Sequence, residues 1–562
     1  MKILGLKLTH DGAICLIENG KIIFSIEIEK INNNNRFQEI NDASLIEDIL
    51  TSNGIDLSDI DHIVIDGWGG NDNDNLAIQP RLTIGGEFNY LSISDEGENY
   101  QLEVAQYEER HLEDNLLKSI KSNKLKIKGK NYQYSSYLHV TGHILSAYCT
   151  SPFAKINEPS YVLIWDGGMF PRLYHVDPIS KKINSCGPLF LLIGNIYTIF
   201  SQHFGPFKVE GSFAKDNLSI AGKVMAYIAR GKFLPELVPI FEDILNDGFE
   251  KPMGYANVFA KKFKEELQIR NISPTDEDIL RTFHGFLEQI LVSKLKKKIS
   301  RLNYETKNLC IAGGCALNIK WNSAIRESKI LENVYVPPFP NDSGSAIGNA
   351  LAKFVEVTGQ FSIDWSVYSG PKVIENMPIA GWKSKAFTVT ELAELLHSKN
   401  EPVIVLNDKA ELGPRALGNR SIIAAPVGVQ MKEVLNKIKK REAYRPVSPI
   451  CLEEKAIEIF EPGTRDEFML FDHVVRKEWK SKIPAVIHED DTARLQTVSE
   501  NDNKVLYELL NEYYKLSGVP VLCNTSANYN GKGFFPDIYS ATSWGGVNYV
   551  WSNDILYYKL NN

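Results

Sequence analysis

The chain opens on an apolar run over residues 2–8 that stops at Thr9-His10-Asp11-Gly12-Ala13. Alternating apolar stretches over 14–17 and 22–26 then flank Asn19-Gly20, a dipeptide favoured in type I′ turns, so the pattern predicts a strand, a loop and a β-hairpin. A helix over 45–51 and a strand over 62–67 follow. From 71 to 130 the chain is polar, with Asn71-Asp72-Asn73-Asp74-Asn75 as a loop and no clear period, and it reads as an insertion of unassigned structure. Residues 138–148 read as a helix carrying His139 and His143, and 161–166 as a buried strand ending at Asp166-Gly167-Gly168. A long helix is predicted over 275–302, because Phe283, Phe286, Leu287, Ile290, Leu291 and Leu295 recur at helical spacing. Residues 308–318 read as a buried strand, a diglycine turn at Gly313-Gly314 and a helix start at Asn318. Residues 337–351 repeat that design, with Asp342 at the strand end and a small-residue helix after the turn. A stretch without strong period, 360–388, reads as a linker with peripheral strands; beyond it come a helix over 391–398, a strand over 403–406 and a helix over 431–440.

At 562 residues the chain is too long for one core. Its 43% hydrophobic and 23% charged residues describe a globular protein, and strands alternating with helices give an α/β class. The formal net charge of −8 argues against a chain that lives on nucleic acid through counterion release. Six lysines between 118 and 130 form a local basic run whose default reading is a solvated face. The seven cysteines are scattered, show no Cys-x-x-Cys and read as buried thiols in a reducing compartment. The longest apolar run, around 188–200, is broken by Gly194 and Asn195 and is too short to span a bilayer. The expected setting is therefore the cytoplasm, with no membrane partner.

The chemistry starts at His139 and His143. Four residues apart on a helix, both rings lie on one face and can reach a single divalent ion. Asp166 and Asp342, at two strand ends, complete a two-imidazole, two-carboxylate set that suits Fe, Zn or Mn. The alternative for the pair alone is two hydrogen-bonded core histidines. Glycine turns at Gly12, Gly167-Gly168, Gly313-Gly314 and Gly344, with a glycine-led turn before Lys223, offer backbone amides to a phosphate or an adenosine edge. Each singly reads as plain strand–helix packing. Further on, Arg415, Arg420, Lys439, Lys440, Arg441, Arg445 and Arg494 gather near turns, as a substrate with several phosphate and carboxylate oxygens requires.

Four segments carry a resemblance: Gly413-Pro414-Arg415-Ala416-Leu417-Gly418-Asn419-Arg420-Ser421, Lys440-Arg441-Glu442-x-x-Arg445-Pro446, Asp491-Thr492-Ala493-Arg494-Leu495-Gln496 and Asn524-Thr525-Ser526-x-Asn528. In that order, after the His pair, they resemble the O-carbamoyltransferases of the NodU/CmcH group, to which the tobramycin carbamoyltransferase also belongs, nearly end to end. The resemblance implies an actin-like (ASKHA, ribonuclease-H-like) two-lobed N-terminal domain over 1–365 and a YrdC-like α/β domain over 380–562. It implies that the C-terminal domain combines carbamoyl phosphate with ATP, on Mg²⁺, to give carbamoyl adenylate and pyrophosphate. The N-terminal domain then transfers the carbamoyl group to an acceptor hydroxyl at an Fe²⁺ or other divalent site made by His139, His143, Asp166 and Asp342. His10 beside Asp11 is the candidate base. Arg415, Arg420, Lys440, Arg441, Arg445, His488, Arg494, Asn524 and Ser526 are expected around the nucleotide and donor.

Two positions depart from the family pattern: Ala527 stands where Phe is usual, and the segment 27–36 differs after the first hairpin, where acceptor contacts are expected. The expected acceptor is a small molecule with a free hydroxyl, most simply a sugar-containing natural product as in antibiotic biosynthesis, with a homodimer as one assembly. The competing readings are a hydroxymethylated pyrimidine acceptor in DNA or nucleotide, served by a basic groove from the 118–130 lysines, and a non-catalytic nucleotide-binding protein.

Overall fold

The computed structural model describes residues 1–68, 88–209, 217–247 and 255–560. The expected loop at 71–75 lies outside them. The chain forms two compact units. The first takes Met1–Leu8, Leu16–Lys21 and Ile40–Asp364; the second takes Thr9–Cys15, Ile22–Glu39 and Trp365–Asn562. No helix of the described residues is long and apolar enough to cross a membrane.

The initial apolar run forms β1 (Lys2–Lys7), and Asn19-Gly20 turns β2 (Ala13–Glu18) into β3 (Lys21–Glu27), both turn residues having positive φ. With β4 (His62–Asp66), β7 (Ile120–Ile127) and β8 (Lys130–Tyr137) they make a six-stranded sheet of order β3-β2-β1-β4-β8-β7, while β5 (Asn89–Asp95) and β6 (Glu98–Val104) pair as a separate ribbon. The described part of the polar insertion is thus largely β-structure. Its hairpins turn at Glu96-Gly97 and Lys128-Gly129, all four at positive φ, and its polar residues are the exposed faces of ribbons. The lysines of β7 and its turn sit beside acids: Lys124 at 2.6 Å from Glu103, Lys128 at 3.0 Å from Asp48 and 3.3 Å from Glu47.

A second sheet orders β9 (Ser160–Ile164), β10 (Arg172–Asp177), β11 (Lys182–Pro188), β12 (Asn308–Ala312) and β13 (Asn333–Tyr335) as β11-β10-β9-β12-β13. With the insertion strands set aside, both sheets run third, second, first, fourth, fifth, and in both the last three strands are parallel. Helix His139–Cys149 and helix Ser345–Thr358 pack through glycine: a Cβ on Gly348 would stand 1.8 Å from the Gly142 carbonyl oxygen. A Cβ on Gly5 of β1 would likewise meet the Ala346 carbonyl at 2.1 Å. These contacts bring the strand end at Lys7, the histidine helix and the turn at Asp342 to one place. The long helix runs Asp276–Ile299, started by Thr275, whose hydroxyl accepts from the Asp278 amide. One expectation fails here: Gly222 and Lys223 lie inside helix Asn217–Tyr227, so there is no phosphate-cradling turn before Lys223.

In the second unit, β14 (Trp382–Ala386), β15 (Val403–Leu406), β16 (Arg420–Ala424), β17 (Ser448–Leu452), β21 (Gln496–Val498), β22 (Val521–Ser526), β23 (Tyr549–Ser552) and β24 (Ile555–Lys559) form an eight-stranded sheet, β14-β24-β23-β15-β16-β22-β17-β21. Between β17 and β21, β18 (Phe460–Glu461), β19 (His473–Val475) and β20 (Thr492–Ala493) make a small separate sheet. Helix Val389–Lys399, with a capping box from Thr388 and Glu391, packs on helix Lys504–Ser517. Residues 22–39 are woven into this unit. Buried Lys30 donates to the Gly413 carbonyl at 2.7 Å, to Glu27 at 2.9 Å and to the Glu411 carbonyl, while the Gly413 amide donates to Glu27 at 2.7 Å.

Candidate active site

Four side chains of the first unit converge. The Nε2 atoms of His139 and His143 face each other at 3.1 Å, and Asp342 Oδ1 lies 3.4 Å from both. Asp166 Oδ2 is 3.9 Å from His139 Nε2, and one donor atom from each of the four residues falls within 4.8 Å of the others, all buried. His139 Nδ1 lies 2.8 Å from Asp66 Oδ2, so in the neutral ring Nδ1 carries the proton and Nε2 presents a lone pair. Asp66 is held in turn by Asn349 Nδ2 at 2.6 Å. Asp166 accepts from the Gly314 amide at 2.6 Å and from the Tyr107 hydroxyl. Gly313 makes that approach possible: its φ is +86°, and a Cβ there would meet the Trp165 carbonyl at 2.5 Å.

Lys7 is fully buried, 2.8 Å from Asp342 Oδ2, 3.0 Å from Asp66 Oδ2 and 4.0 Å above the Trp68 ring. Burial favours a neutral amine, but Asp342 and Asp66 outweigh it and keep the ammonium charged. With His139 neutral, as a metal ligand must be, one ammonium against the three carboxylates of Asp66, Asp166 and Asp342 leaves two negative charges in a dry pocket. Burial likewise lowers His139, yet Asp66 and Asp342 raise it to about 9, so the ring holds a second proton on Nε2 until a cation displaces it. Converging lone pairs and a doubly negative balance fit one divalent cation, and N and O donors fit Fe, Zn or Mn.

A second constellation lies in the other unit, where the four distinctive segments meet. Asn524 Nδ2 donates to the Ala416 carbonyl at 2.9 Å and to Gln496 Oε1 at 3.2 Å, and Gln496 donates to the Leu417 carbonyl at 2.9 Å. Lys439 donates to the Ser526 carbonyl at 2.6 Å, the Asn528 carbonyl at 2.5 Å and the Asn528 side chain. Around this knot stand Arg415, Arg441, Arg445 and Arg494. Arg494 has the Ser448 hydroxyl at 2.9 and 3.1 Å, and Arg415 Nε is buried without an acceptor. Glu442 is 3.9 Å from Arg445, and among the described residues no carboxylate reaches ion-pair distance of Arg415, Arg441 or Arg494. Burial first, then neighbouring arginines, pushes Arg441 down to about 9 and Arg494 to about 10. A guanidinium keeps its proton under such pressure, so the pocket calls for an anion of several charges.

Residues 2–351 match the carbamoyltransferase N-terminus family model, and residues 393–557 match the carbamoyltransferase C-terminus model. The chain belongs to the carbamoyltransferase family. It is 46% identical over its whole length to nodulation protein U of Rhizobium tropici, covering 96% of that protein, and 44% identical to nodulation protein U of Sinorhizobium fredii (100% and 99% covered). It is also 30% identical to 3'-hydroxymethylcephem-O-carbamoyltransferase of Amycolatopsis lactamdurans, over 95% of this chain and 94% of that one.

In this carbamoyltransferase some expected site residues have other duties. Arg420 is buried, its terminal nitrogens donating to the carbonyls of Asn407, Asn419, Pro371 and Asp408, so it ties the fold together rather than facing a ligand. Lys440 is exposed with its ammonium 5.4 Å from the Tyr529 ring centre, and Lys439 is the lysine buried in the cluster. The amides of Gly12, Gly313 and Gly314 donate to Gln38, Pro340 and Asp166 instead of standing open to phosphate. Asn318 caps helix Ile319–Glu327, and Gly167 and Gly168 pack on Asn195 and Tyr107. Ser526 hydrogen-bonds Asn528 within the knot, and His488 Nδ1 is 3.1 Å from the Thr492 hydroxyl. His10, its Nδ1 3.0 Å from Asp11, belongs to the second unit, whereas the four converging ligands belong to the first. The sequence reading missed Lys7, Asp66, Tyr107 and Asn349. Asp66-Gly67 closes a predicted strand just as Asp166-Gly167 does, and Lys7 is the charge at the end of an apolar strand; those were the available signals.

Proposed function

We propose that this carbamoyltransferase makes carbamoyl adenylate from ATP and carbamoyl phosphate and transfers the carbamoyl group to a hydroxyl of a small, sugar-containing molecule. The observation that carries the reading is one chain with two buried pockets of opposite demand: a doubly negative ligand cluster and an arginine cluster short of anions. The repeated strand order of the two N-terminal sheets supports an actin-like fold for the first region, and we take the second as YrdC-like.

Atom balance sets the donor chemistry. Carbamoyl phosphate must release phosphate to water, and the carbamate oxygen then bonds the α-phosphorus of ATP as pyrophosphate leaves. Both steps concentrate negative charge on oxygens, which Arg415, Arg441, Arg445 and Arg494 neutralise, with Mg²⁺ on the nucleotide. In the transfer step the acceptor oxygen bonds the carbamoyl carbon and AMP departs with the electrons of the broken C–O bond. His139, His143, Asp166 and Asp342 would hold a divalent ion, which would supply Lewis acidity for the carbonyl. Asp66 orients His139, Lys7 holds Asp342 by one oxygen, and His10, aligned by Asp11, takes the acceptor proton. The cephem relative's name specifies a hydroxymethyl acceptor, which supports oxygen as the nucleophile here. The lysine–carboxylate pairs of the 118–130 run speak against a DNA groove.

The test incubates the protein with ATP, carbamoyl phosphate and Mg²⁺ and follows pyrophosphate. Release is expected from wild type and from His139→Ala, with carbamoylated acceptor, read by mass spectrometry, formed by wild type alone. No pyrophosphate from wild type refutes the reading.

A further inference from the structure

The arginine pocket receives one cation from the other end of the chain. Residues 34–36 lie along the loop that follows Asn528: the Asn34 carbonyl accepts from the Gly533 amide at 2.6 Å, Lys532 donates to Asn35 Oδ1 at 2.9 Å, and the Arg36 amide donates to the Gly531 carbonyl at 3.3 Å. The same loop is gripped from the pocket, since Ser526 and Asn528 receive Lys439, and Asn530 reaches the Lys440 carbonyl at 3.2 Å. Arg36 therefore stands across a single short loop from Lys439.

Its guanidinium is paired with Glu29 on one edge; burial disfavours its charge, but Glu29, Asp11 and Glu27 together outweigh burial and keep it charged. Nε and one terminal nitrogen meet the buried carboxylate of Glu29 at 3.2 and 3.5 Å, and Cζ lies 4.8 Å from the Phe37 ring centre. The Nη1 edge has no protein partner among the described residues. Arginine is well suited to this use, because one edge can be fixed by a carboxylate while the other receives a second anion. The charge of Arg36 also bears on its neighbours: it is among the cations that press Arg415, Lys439 and Arg445 downward, after burial. The preceding turn of the arm has a matching role, since Lys30 and Glu27 clamp Gly413, two residues from Arg415.

We propose that Arg36 is an anion-binding residue of the donor pocket, its Nη1 edge taking a phosphate oxygen of a phosphorylated substrate, with Lys30 and Glu27 as positioning residues for Arg415. The proposal rests on the donor chemistry above. It reassigns the arm 27–36 from acceptor contacts, where the sequence pattern put it, to the phosphate end of the reaction.

The test uses the full chain with Arg36→Gln, which keeps a hydrogen bond to Glu29 without the charge, and Arg36→Lys. Mg²⁺-ATP and carbamoyl phosphate are titrated separately by calorimetry, KM and kcat for pyrophosphate release are measured with each substrate varied, and melting curves report folding. Arg36→Gln should weaken one of the two ligands by ~10- to 100-fold, the size of a lost charge-assisted hydrogen bond, with the melting curve retained and Arg36→Lys intermediate. The ligand that loses affinity identifies which phosphate Arg36 meets. A folded Arg36→Gln protein that binds both within about twofold of wild type overturns the proposal. Wild type that binds neither and releases no pyrophosphate overturns the donor reading itself, and this proposal with it.

Discussion

Asp66 is a sharp test of the cation cluster because it is not one of the four converging ligands. Its Oδ2 receives His139 Nδ1 at 2.8 Å and Lys7 at 3.0 Å, and its Oδ1 receives Asn349 at 2.6 Å. Asp66→Asn keeps the volume but replaces a carboxylate by an amide. The His139 ring then loses the charged acceptor that fixes its tautomer and makes Nε2 electron-rich, and the pocket's balance falls from two negative charges to one. Replacing such a partner behind a ligating histidine costs 10- to 100-fold in metal affinity, or about 1.4–2.7 kcal/mol. Lys7 retains Asp342 at 2.8 Å, so the substitution does not strand a buried ammonium. Metal-stripped wild type and variant would be titrated with Fe²⁺, Zn²⁺ and Mn²⁺ against a competing chelator, with melting curves as the folding control. A folded Asp66→Asn protein that binds each ion as tightly as wild type would refute the idea that His139 is a ligand oriented by Asp66.

Three further outcomes test the fold. Gly348→Ala should lower stability by about 3 kcal/mol or more, since its methyl group would meet the Gly142 carbonyl at 1.8 Å, and chemical denaturation measures the loss. Gly222→Ala, in the middle of helix Asn217–Tyr227 with nothing within 4 Å of the new methyl, should raise stability by about 0.5–1 kcal/mol in the same experiment; a loss there would contradict the helix. His175 is buried, stacked on Tyr304 at 3.9 Å with neither ring nitrogen hydrogen-bonded, and burial pushes it down to about 4 from 6.5. The unfolded chain therefore binds the extra proton first, so stability falls as pH drops from about 6.5 to about 4, and His175→Phe should show a shallower fall in denaturation midpoints across that window. Equal slopes would show that His175 titrates normally in the folded protein.

What the sequence reveals and what it hides divide along chain distance. His139 and His143 are legible because one helical turn relates them, and β1, the Asn19-Gly20 hairpin and helix Asp276–Ile299 because their periods are local. The insertion ribbons carry only two buried aliphatic positions per strand, Leu91 and Ile93, Leu102 and Val104, Leu125 and Ile127, an alternation too short to stand out from the polar residues around it, which leaves Glu96-Gly97 and Lys128-Gly129 as the turn signals. Within the converging segments, a short motif marks a neighbourhood but not a direction. Arg415 and Arg420 belong to one segment, yet Arg415 Nε lacks an acceptor while Arg420 is spent on four backbone carbonyls, and of adjacent lysines Lys439 is buried and Lys440 exposed.

Charge compensation is the least legible feature, because no rule of spacing relates the partners. Lys7 meets Asp66 and Asp342 across 59 and 335 positions of sequence, and Lys30 meets the Gly413 carbonyl across 383. Each of these lysines looks like an isolated charge in an apolar stretch, for which solvent exposure is the cheaper local solution. Burial without a partner costs several kcal/mol, so a lysine committed to the interior must be matched by acids or carbonyls supplied from elsewhere in the chain. Lys7 sits among more carboxylates than it can neutralise, and Lys30 holds the turn that leads to an arginine with an orphaned nitrogen. Both lysines are therefore tied to pockets whose own charge is unbalanced, and in each the excess has the sign that a ligand of opposite charge would cancel: a cation beside Lys7, a phosphorylated substrate beside Arg415.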